Sequence, residues 1–379
     1  MSPVADPFKI DTPFGAGVLP DVALRKLIET GAISGTTPIL DAQVQPASLD
    51  LRLGRRAIRL RASFLAGPAA RVQDRLKDLS MHEMDLAPGA VLEKGCVYLV
   101  ELQESLKLPT ELSAITNAKS STGRLDLLTR TVTDFGVEFD RIPAGYDGPI
   151  YAEICPRSFS VLVRPGMRLN QLRLRQGQAV LSDSDLSALH QTAPLIEDIG
   201  GDPAHIEDGL GFSVDLSAPP ERPVGYRAKP HSGVIDLDQI GAYPVADFWD
   251  ELYAPTGRLI LDPGAFYILI SRESVRIPAD CAAEMAPYMA LVGEFRVHYA
   301  GFFDPGFGLA EAGGAGARGV LEVRCHEAPF VLEHGQRVGR LTYERMSARP
   351  IKLYGAELSS NYQGQGLKLA KQFAMAPSD

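Results

Sequence analysis

The segment Ala118-Lys119-Ser120-Ser121-Thr122-Gly123-Arg124 sets two serine hydroxyls between two cations, with a glycine that lets the backbone turn closely around a ligand. Such a run suits phosphate. Lys119 and Arg124 supply charge, Ser120 and Ser121 donate hydrogen bonds, and exposed backbone N–H groups complete an anion nest. A solvated polar turn has the same composition, so the segment gains meaning only beside a second group. Glu153 is such a group. It stands in the apolar strand pattern Ile150-Tyr151-Ala152-Glu153-Ile154, where alternation puts it on the face of Tyr151. A carboxyl group among hydrophobic neighbours gains proton affinity, as a general base working near neutral pH requires. The other reading is a structural carboxylate paired with Arg124 or Arg141. Glu322, at the matching place later in the chain, is compatible with either.

The elements that must carry these groups are short strands. The chain has 379 residues, 45% hydrophobic and 22% charged, which is material for two cores. Its 36 Gly and 28 Pro break the sequence into short or alternating apolar runs, which predicts an all-β fold of compact antiparallel barrels or sandwiches with few helices. One helix is expected over Leu19 to Ile33, with Val22, Leu24, Leu27 and Ile28 at helical spacing and Gly31 at its end. Trp249 and Tyr253, also at helical spacing, read as core packing of a second short helix.

Charge and cysteine usage narrow the partners. The formal net charge is −9 with no block of lysines and arginines, so no nucleic-acid partner is expected and a nucleotide must meet a local basic pocket. Cys96, Cys155, Cys281 and Cys325 are scattered, and only Cys325-His326 sets a thiol beside an imidazole, so neither zinc nor a disulfide framework is expected. A reduced, cytoplasmic protein fits. No N-terminal stretch reads as a signal peptide and no apolar run reaches about 18 residues, so no membrane partner is expected. His298, His326 and His334 stand apart from any partner pattern and read as ordinary polar histidines.

The most specific signal is internal. YLVELQESLKLP from Tyr98 lies against YILISRESVRIP from Tyr267, 169 residues on. YAEICPRSFSVLVRPGMRLNQLRL from Tyr151 lies against VLEVRCHEAPFVLEHGQRVGRLTY from Val320 at the same offset, pairing Glu153 with Glu322, Gly166 with Gly335 and Leu172 with Leu341. Two stretches in one register indicate a duplicated domain. We divide the chain into a first copy over 1–181, a linker over 182–205 and a diverged second copy over 206–379.

Taken in order, K-S-S-x-x-R at Lys119, R-I-x-x-G-Y-x-G from Arg141 to Gly148, the strand glutamate and L-x-R-P-G-M from Leu162 to Met167 resemble the deoxycytidine-triphosphate deaminases of the dUTPase-like superfamily. The opening strand around Gln45 to Gly54 and the helix before it are similar too. Asn361-Tyr362-Gln363-Gly364-Gln365 resembles that family's mobile tail, which folds over the bound triphosphate. The two-copy arrangement is similar to the longer deaminases of some bacteria. The resemblance implies two tandem distorted barrels of the β-clip type, hydrolysis of dCTP to dUTP and ammonia, and likeness to oligomers built from rings of three barrels, hence a homo-oligomer.

Carried over by position, it implies that Glu153 activates water without a metal at the base, Ser120 hydrogen-bonds the water or departing ammonia, and Arg124 steadies both. Lys119, Ser121 and Arg141 would face a triphosphate bridged by Mg²⁺, with Tyr362 and Gln365 closing over it. Tyr146 occupies the aromatic place of the sugar-binding hairpin. That hairpin lacks its aspartate in the first copy, where Ile142-Pro143-Ala144-Gly145-Tyr146 stands, whereas Phe303-Asp304-Pro305-Gly306-Phe307 in the second copy has it. Asp304 could accept from a 3′-hydroxyl and Phe307 could stack under a deoxyribose. The second copy in turn reads Ala286-Pro287-Tyr288-Met289-Ala290-Leu291 in place of the serines and arginine, so each copy would hold half a site. A tight turn is the other reading of Asp-Pro-Gly. Three activities remain compatible with the sequence: dCTP deamination, dUTP hydrolysis alone or after it, and nucleotide binding without catalysis in a regulatory protein.

Overall fold

Burial of alternate side chains drives the first copy into a ten-stranded sheet that wraps into a barrel around an apolar centre. The computed structural model describes residues 15–197, 203–287, 295–298, 301–355 and 366–374. Side by side in this sheet lie Leu127–Thr133, Asp147–Pro156, Val97–Lys107, Leu49–Leu60, Arg168–Gln176, Leu112–Ala118 and Arg141–Ile142. The second copy is built chiefly on two larger sheets. One joins Leu210–Ser213, Arg337–Arg345, Cys281–Pro287 and Phe302–Phe303, and the other joins Trp249–Leu252, Gly225–Ala228, Phe266–Val275, Ala317–Cys325 and Phe295–His298. The fold is thus all-β in two related barrels.

The repeat seen in the sequence is also a repeat of register. Glu153 lies opposite Leu99, and Glu322 lies opposite Ile268, each pair 169 residues from its counterpart. The Glu-Ser shared by the copies has a structural cause. Glu104 is fully buried and accepts from the backbone N and Nε of Arg52, both at 2.7 Å. Glu273, its counterpart, accepts from the backbone N and Oγ of Ser213 at 2.8 and 2.5 Å. In each copy one carboxylate therefore fastens the opening strand to the barrel, satisfying donors that burial would leave costly.

Three expectations need correction. The opening helix is Asp21–Glu29, shorter than Leu19 to Ile33; Pro20 precedes it and Gly31 follows at φ +80°. Its buried face is Ala23, Leu24 and Leu27, while Val22 is exposed. The segment 182–205 is no simple linker, since it contains the helix Asp183–Thr192, and Leu186, Leu195 and Ile196 are buried in the second core. Trp249 is buried as expected, but it opens the strand Trp249–Leu252 and not a helix turn, and Tyr253 is exposed.

The two copies are stitched together through the first core, which includes Tyr226, Phe248, Trp249 and Phe266 from the second. Phe159 of the first copy packs edge-on to Trp249 and Phe248, with ring centroids 5.3 and 5.8 Å away, and lies 6.3 Å from Phe373 near the chain end. Leu369 and Ala370 are buried in the same core. The four cysteines are free thiols, and no helix of the described residues is long and apolar enough to cross a membrane.

Candidate active site

The stitching leaves a cavity of about 700 Å³ walled by both copies. On the first-copy side, Lys119 is extended at φ −67° and ψ 147°, and a single helical turn, Ser120–Gly123, follows it. The turn sets Lys119, Ser120 and Ser121 along the cavity, while Thr122 turns inward and donates from Oγ1 to the carbonyl of Leu169 at 3.1 Å. Arg124 is buried behind them, and its Nη1 donates to the carbonyl of Lys368 at 2.9 Å. The near-terminal segment therefore helps hold Arg124 in place.

On the second-copy side, the turn Asp304-Pro305-Gly306-Phe307 closes with Phe307 N donating to the Asp304 carbonyl at 3.1 Å. Gly306 has φ +98°, and a Cβ there would come within 2.9 Å of the Tyr354 nitrogen, so the position needs glycine. Asp304 and Phe307 are buried and both face the cavity, Phe307 standing 5.1 Å from the Phe303 ring. Gly301 approaches the opposite wall so closely that a Cβ on it would lie 3.6 Å from Ser120 Oγ.

The carboxylate that meets Ser120 and Arg124 in this cavity is Glu322, not Glu153. Glu322 is 5% exposed and lines the cavity. Burial pushes its carboxyl up to about 8, the Arg124 charge opposing that rise and the Asp126 charge adding to it. Asp126 in turn is paired with Arg324, two residues beyond Glu322 on the same strand, and accepts from Ser158 Oγ at 2.6 Å. Glu153 belongs to a different environment. It is 2% exposed and does not line the cavity, and its Oε1 takes Arg130 Nη2 at 2.5 Å. Arg130 also donates to Ser63 Oγ at 3.0 Å and lies 3.7 Å above the Phe139 ring. The structural-carboxylate reading fits Glu153, with Arg130 as partner in place of Arg124 or Arg141.

Two further expected residues stand elsewhere. Arg141 is exposed on the two-residue strand Arg141–Ile142, away from the cavity. Tyr146 is buried in the first core, where its hydroxyl donates to the Pro149 carbonyl at 2.6 Å and accepts from Asp134 N at 3.2 Å. A phenol so engaged is structural. Tyr362 and Gln365 lie outside the described residues.

The cavity also holds cations that the sequence reading missed. Arg164, Arg168 and Lys371 join Lys119 in its wall. Lys119 pairs with Asp50, which also takes Arg168 at 3.3 Å, and Arg164 pairs with Asp238 at 2.8 Å. Burial lowers the Lys371 ammonium, and the nearby charges of Lys119 and Arg168 lower it further. A lysine disfavoured by burial and by neighbouring cations gains from an arriving polyanion. Arg164-Pro165-Gly166, noted within L-x-R-P-G-M but given no role, pointed to this wall.

Comparison with known proteins matches both halves of this architecture. The family described as "2′-deoxycytidine 5′-triphosphate deaminase (DCD) N-terminal domain" matches residues 15–178, and its "C-terminal domain" partner matches residues 182–373. A solved structure, "Crystal structure of 2′-deoxycytidine 5′-triphosphate deaminase from Agrobacterium tumefaciens", is 54% identical with a TM-score of 0.83, covering 87% of this chain and 99% of that one. Two curated relatives are each called "dCTP deaminase, dUMP-forming". The Beutenbergia cavernae protein is 31% identical over 41% of this chain and 77% of its own length. The Corynebacterium glutamicum protein is 32% identical over 42% of this chain and 80% of its own length.

Proposed function

Since this chain belongs to the 2′-deoxycytidine 5′-triphosphate deaminase family, we propose that it hydrolyses dCTP to dUTP and ammonia, with Glu322 as the general base. The observation that carries this reading is the meeting of Ser120 and Arg124 from one copy with a buried carboxyl from the other, in one cavity. A water molecule attacking C4 of cytosine must lose a proton as the ring gains one at N3. The same proton-bearing group must then protonate the exocyclic amine so that ammonia can leave and the carbonyl form. One carboxyl with an affinity near 8 can make both transfers in turn. Arg124 opposes the charge penalty on the ionised carboxylate, and the Ser120 hydroxyl orients the water or the departing amine.

The remaining walls fit the rest of the nucleotide. Asp304 offers a carboxylate to the 3′-hydroxyl and Phe307 a ring to the deoxyribose. Lys119, Ser121, Arg168 and Lys371 face the triphosphate. Mg²⁺ enters this reading as part of the substrate, bridging oxygens of the triphosphate.

The names of the curated relatives favour a second reading, in which the uracil nucleotide is cleaved further to dUMP and pyrophosphate. Purified protein given dCTP decides between the two. Ammonia with accumulating dUTP is expected, and pyrophosphate released in step with ammonia would replace the first reading by the second.

A further inference from the structure

Arg173 is fully buried and does not line the cavity, yet all its side-chain partners lie in the other copy. From the strand Arg168–Gln176, its Nη1 donates to the Ala283 carbonyl at 3.0 Å and to Glu344 Oε2 at 3.3 Å. Its Nη2 donates to Asp304 Oδ1 at 3.0 Å and to the Phe303 carbonyl at 3.4 Å. The guanidinium carbon stands 4.0 Å over the Phe302 ring. The side chain thus touches Cys281–Pro287, Phe302–Phe303 and Arg337–Arg345, three neighbouring strands of the second copy.

We propose that Arg173 is a positioning residue for the sugar end of the site: it fixes one oxygen of the Asp304 carboxylate so that the other faces the nucleotide. The proposal rests on the reading that Asp304 accepts from the 3′-hydroxyl. Its physical basis is geometric. A guanidinium is planar, and its donors fan out at fixed angles, so engaging backbone carbonyls on one side sets the direction of the donor on the other. Asp304 Oδ1 is taken by Arg173, whereas Oδ2 has no hydrogen-bond partner among the described residues and the residue lines the cavity. A lysine at this place has a single point of charge and cannot serve both sides.

Stability alone is a poor account of this arrangement. A buried arginine with two carboxylates recovers about what the desolvation of all three costs, and three apolar side chains filling the same volume often do as well. Burial also pushes the Asp304 carboxyl upward, and the Arg173 charge is the main influence pulling it back.

The test compares dCTP with 2′,3′-dideoxycytidine triphosphate, measuring ammonia release by the wild type and by Asp304→Ala, Arg173→Lys and Arg173→Met. The wild type is expected to favour dCTP in kcat/KM by about 10–100-fold, the range for a hydrogen bond to a charged group. Asp304→Ala should abolish that preference. Arg173→Lys and Arg173→Met should reduce it to about threefold or less, because the bond they weaken is one the dideoxy substrate never makes. Should the methionine variant fail to fold, the lysine variant decides alone. An Arg173→Lys enzyme that keeps the full preference, or loses activity equally toward both substrates, overturns the proposal. A wild type indifferent to the 3′-hydroxyl removes the Asp304 reading itself, and is told apart because no substitution is involved.

Discussion

Replacing Glu322 by Gln tests the chemistry and its physical origin together. The substitution keeps size and shape but removes both the proton acceptor and the ability to ionise. As the base, Glu322 is worth about 10²–10⁴ in turnover, so kcat for ammonia release should fall at least a hundredfold while dCTP still binds. The second effect follows from the carboxyl's shift from an ordinary 4.5 to about 8, caused chiefly by burial. A carboxyl whose proton affinity is raised by folding resists ionising in the folded state. Wild-type stability should therefore fall as pH rises from about 4.5 and level off above about 8. At about 1.4 kcal/mol per pH unit, the loss has an upper bound of about 5 kcal/mol. Glutamine never ionises and escapes it. Thermal unfolding should find the variant and the wild type within about a degree at pH 5, with the variant several degrees more stable at pH 9. The wild-type kcat/KM should rise with pH through an inflection near 8, since the base is then mostly ionised. A variant that keeps more than a tenth of wild-type turnover, or one whose stability difference is the same at both pH values, refutes the reasoning.

Glu153→Gln should leave turnover within about threefold of wild type, because its carboxylate serves Arg130; steady-state ammonia assays on the two glutamine variants side by side make the contrast. Titration calorimetry of Glu322→Gln with dCTP should find one nucleotide per chain, and a second would point to the Glu153 neighbourhood. Lys371→Met should raise KM for dCTP about tenfold with kcat within twofold, as removal of one charged contact to phosphate would. Phe373→Ala should cost roughly 3–5 kcal/mol in denaturant unfolding, because its ring packs against Phe159, Phe248 and Trp249.

The barrels were legible because alternation, turn residues and the repeat each describe local geometry, and each copy folds largely on its own pattern. Strand register followed from the repeat for the same reason. Which glutamate meets Ser120 was not legible from either strand, since Glu153 and Glu322 occupy equivalent places in equivalent sheets. Only the packing of one barrel on the other distinguishes them. A pointer existed nonetheless. The hairpin at Asp304 and the strand bearing Glu322 belong to one copy, so assigning the sugar hairpin to the second copy should have brought its glutamate along. Arg168 and Lys371 escaped because an isolated basic residue in a strand or tail carries no spacing signal, and Arg164, though quoted within L-x-R-P-G-M, was given no role; the three become a cluster only when the chain end folds back beside the turn at 165–166. Arg141 and Tyr146 were assigned from motif position alone. Tyr146 is buried, with its hydroxyl engaged by the backbone of Asp134 and Pro149.

Because Ser120 and Glu322 sit on one polypeptide, the two walls of the cavity are supplied in a fixed one-to-one ratio at a local concentration set by the fold. A cleft assembled between separate subunits empties when the protein is diluted below their dissociation constant. Here the joint between the halves is covalent as well as packed, so specific activity should hold as the enzyme is thinned to nanomolar levels.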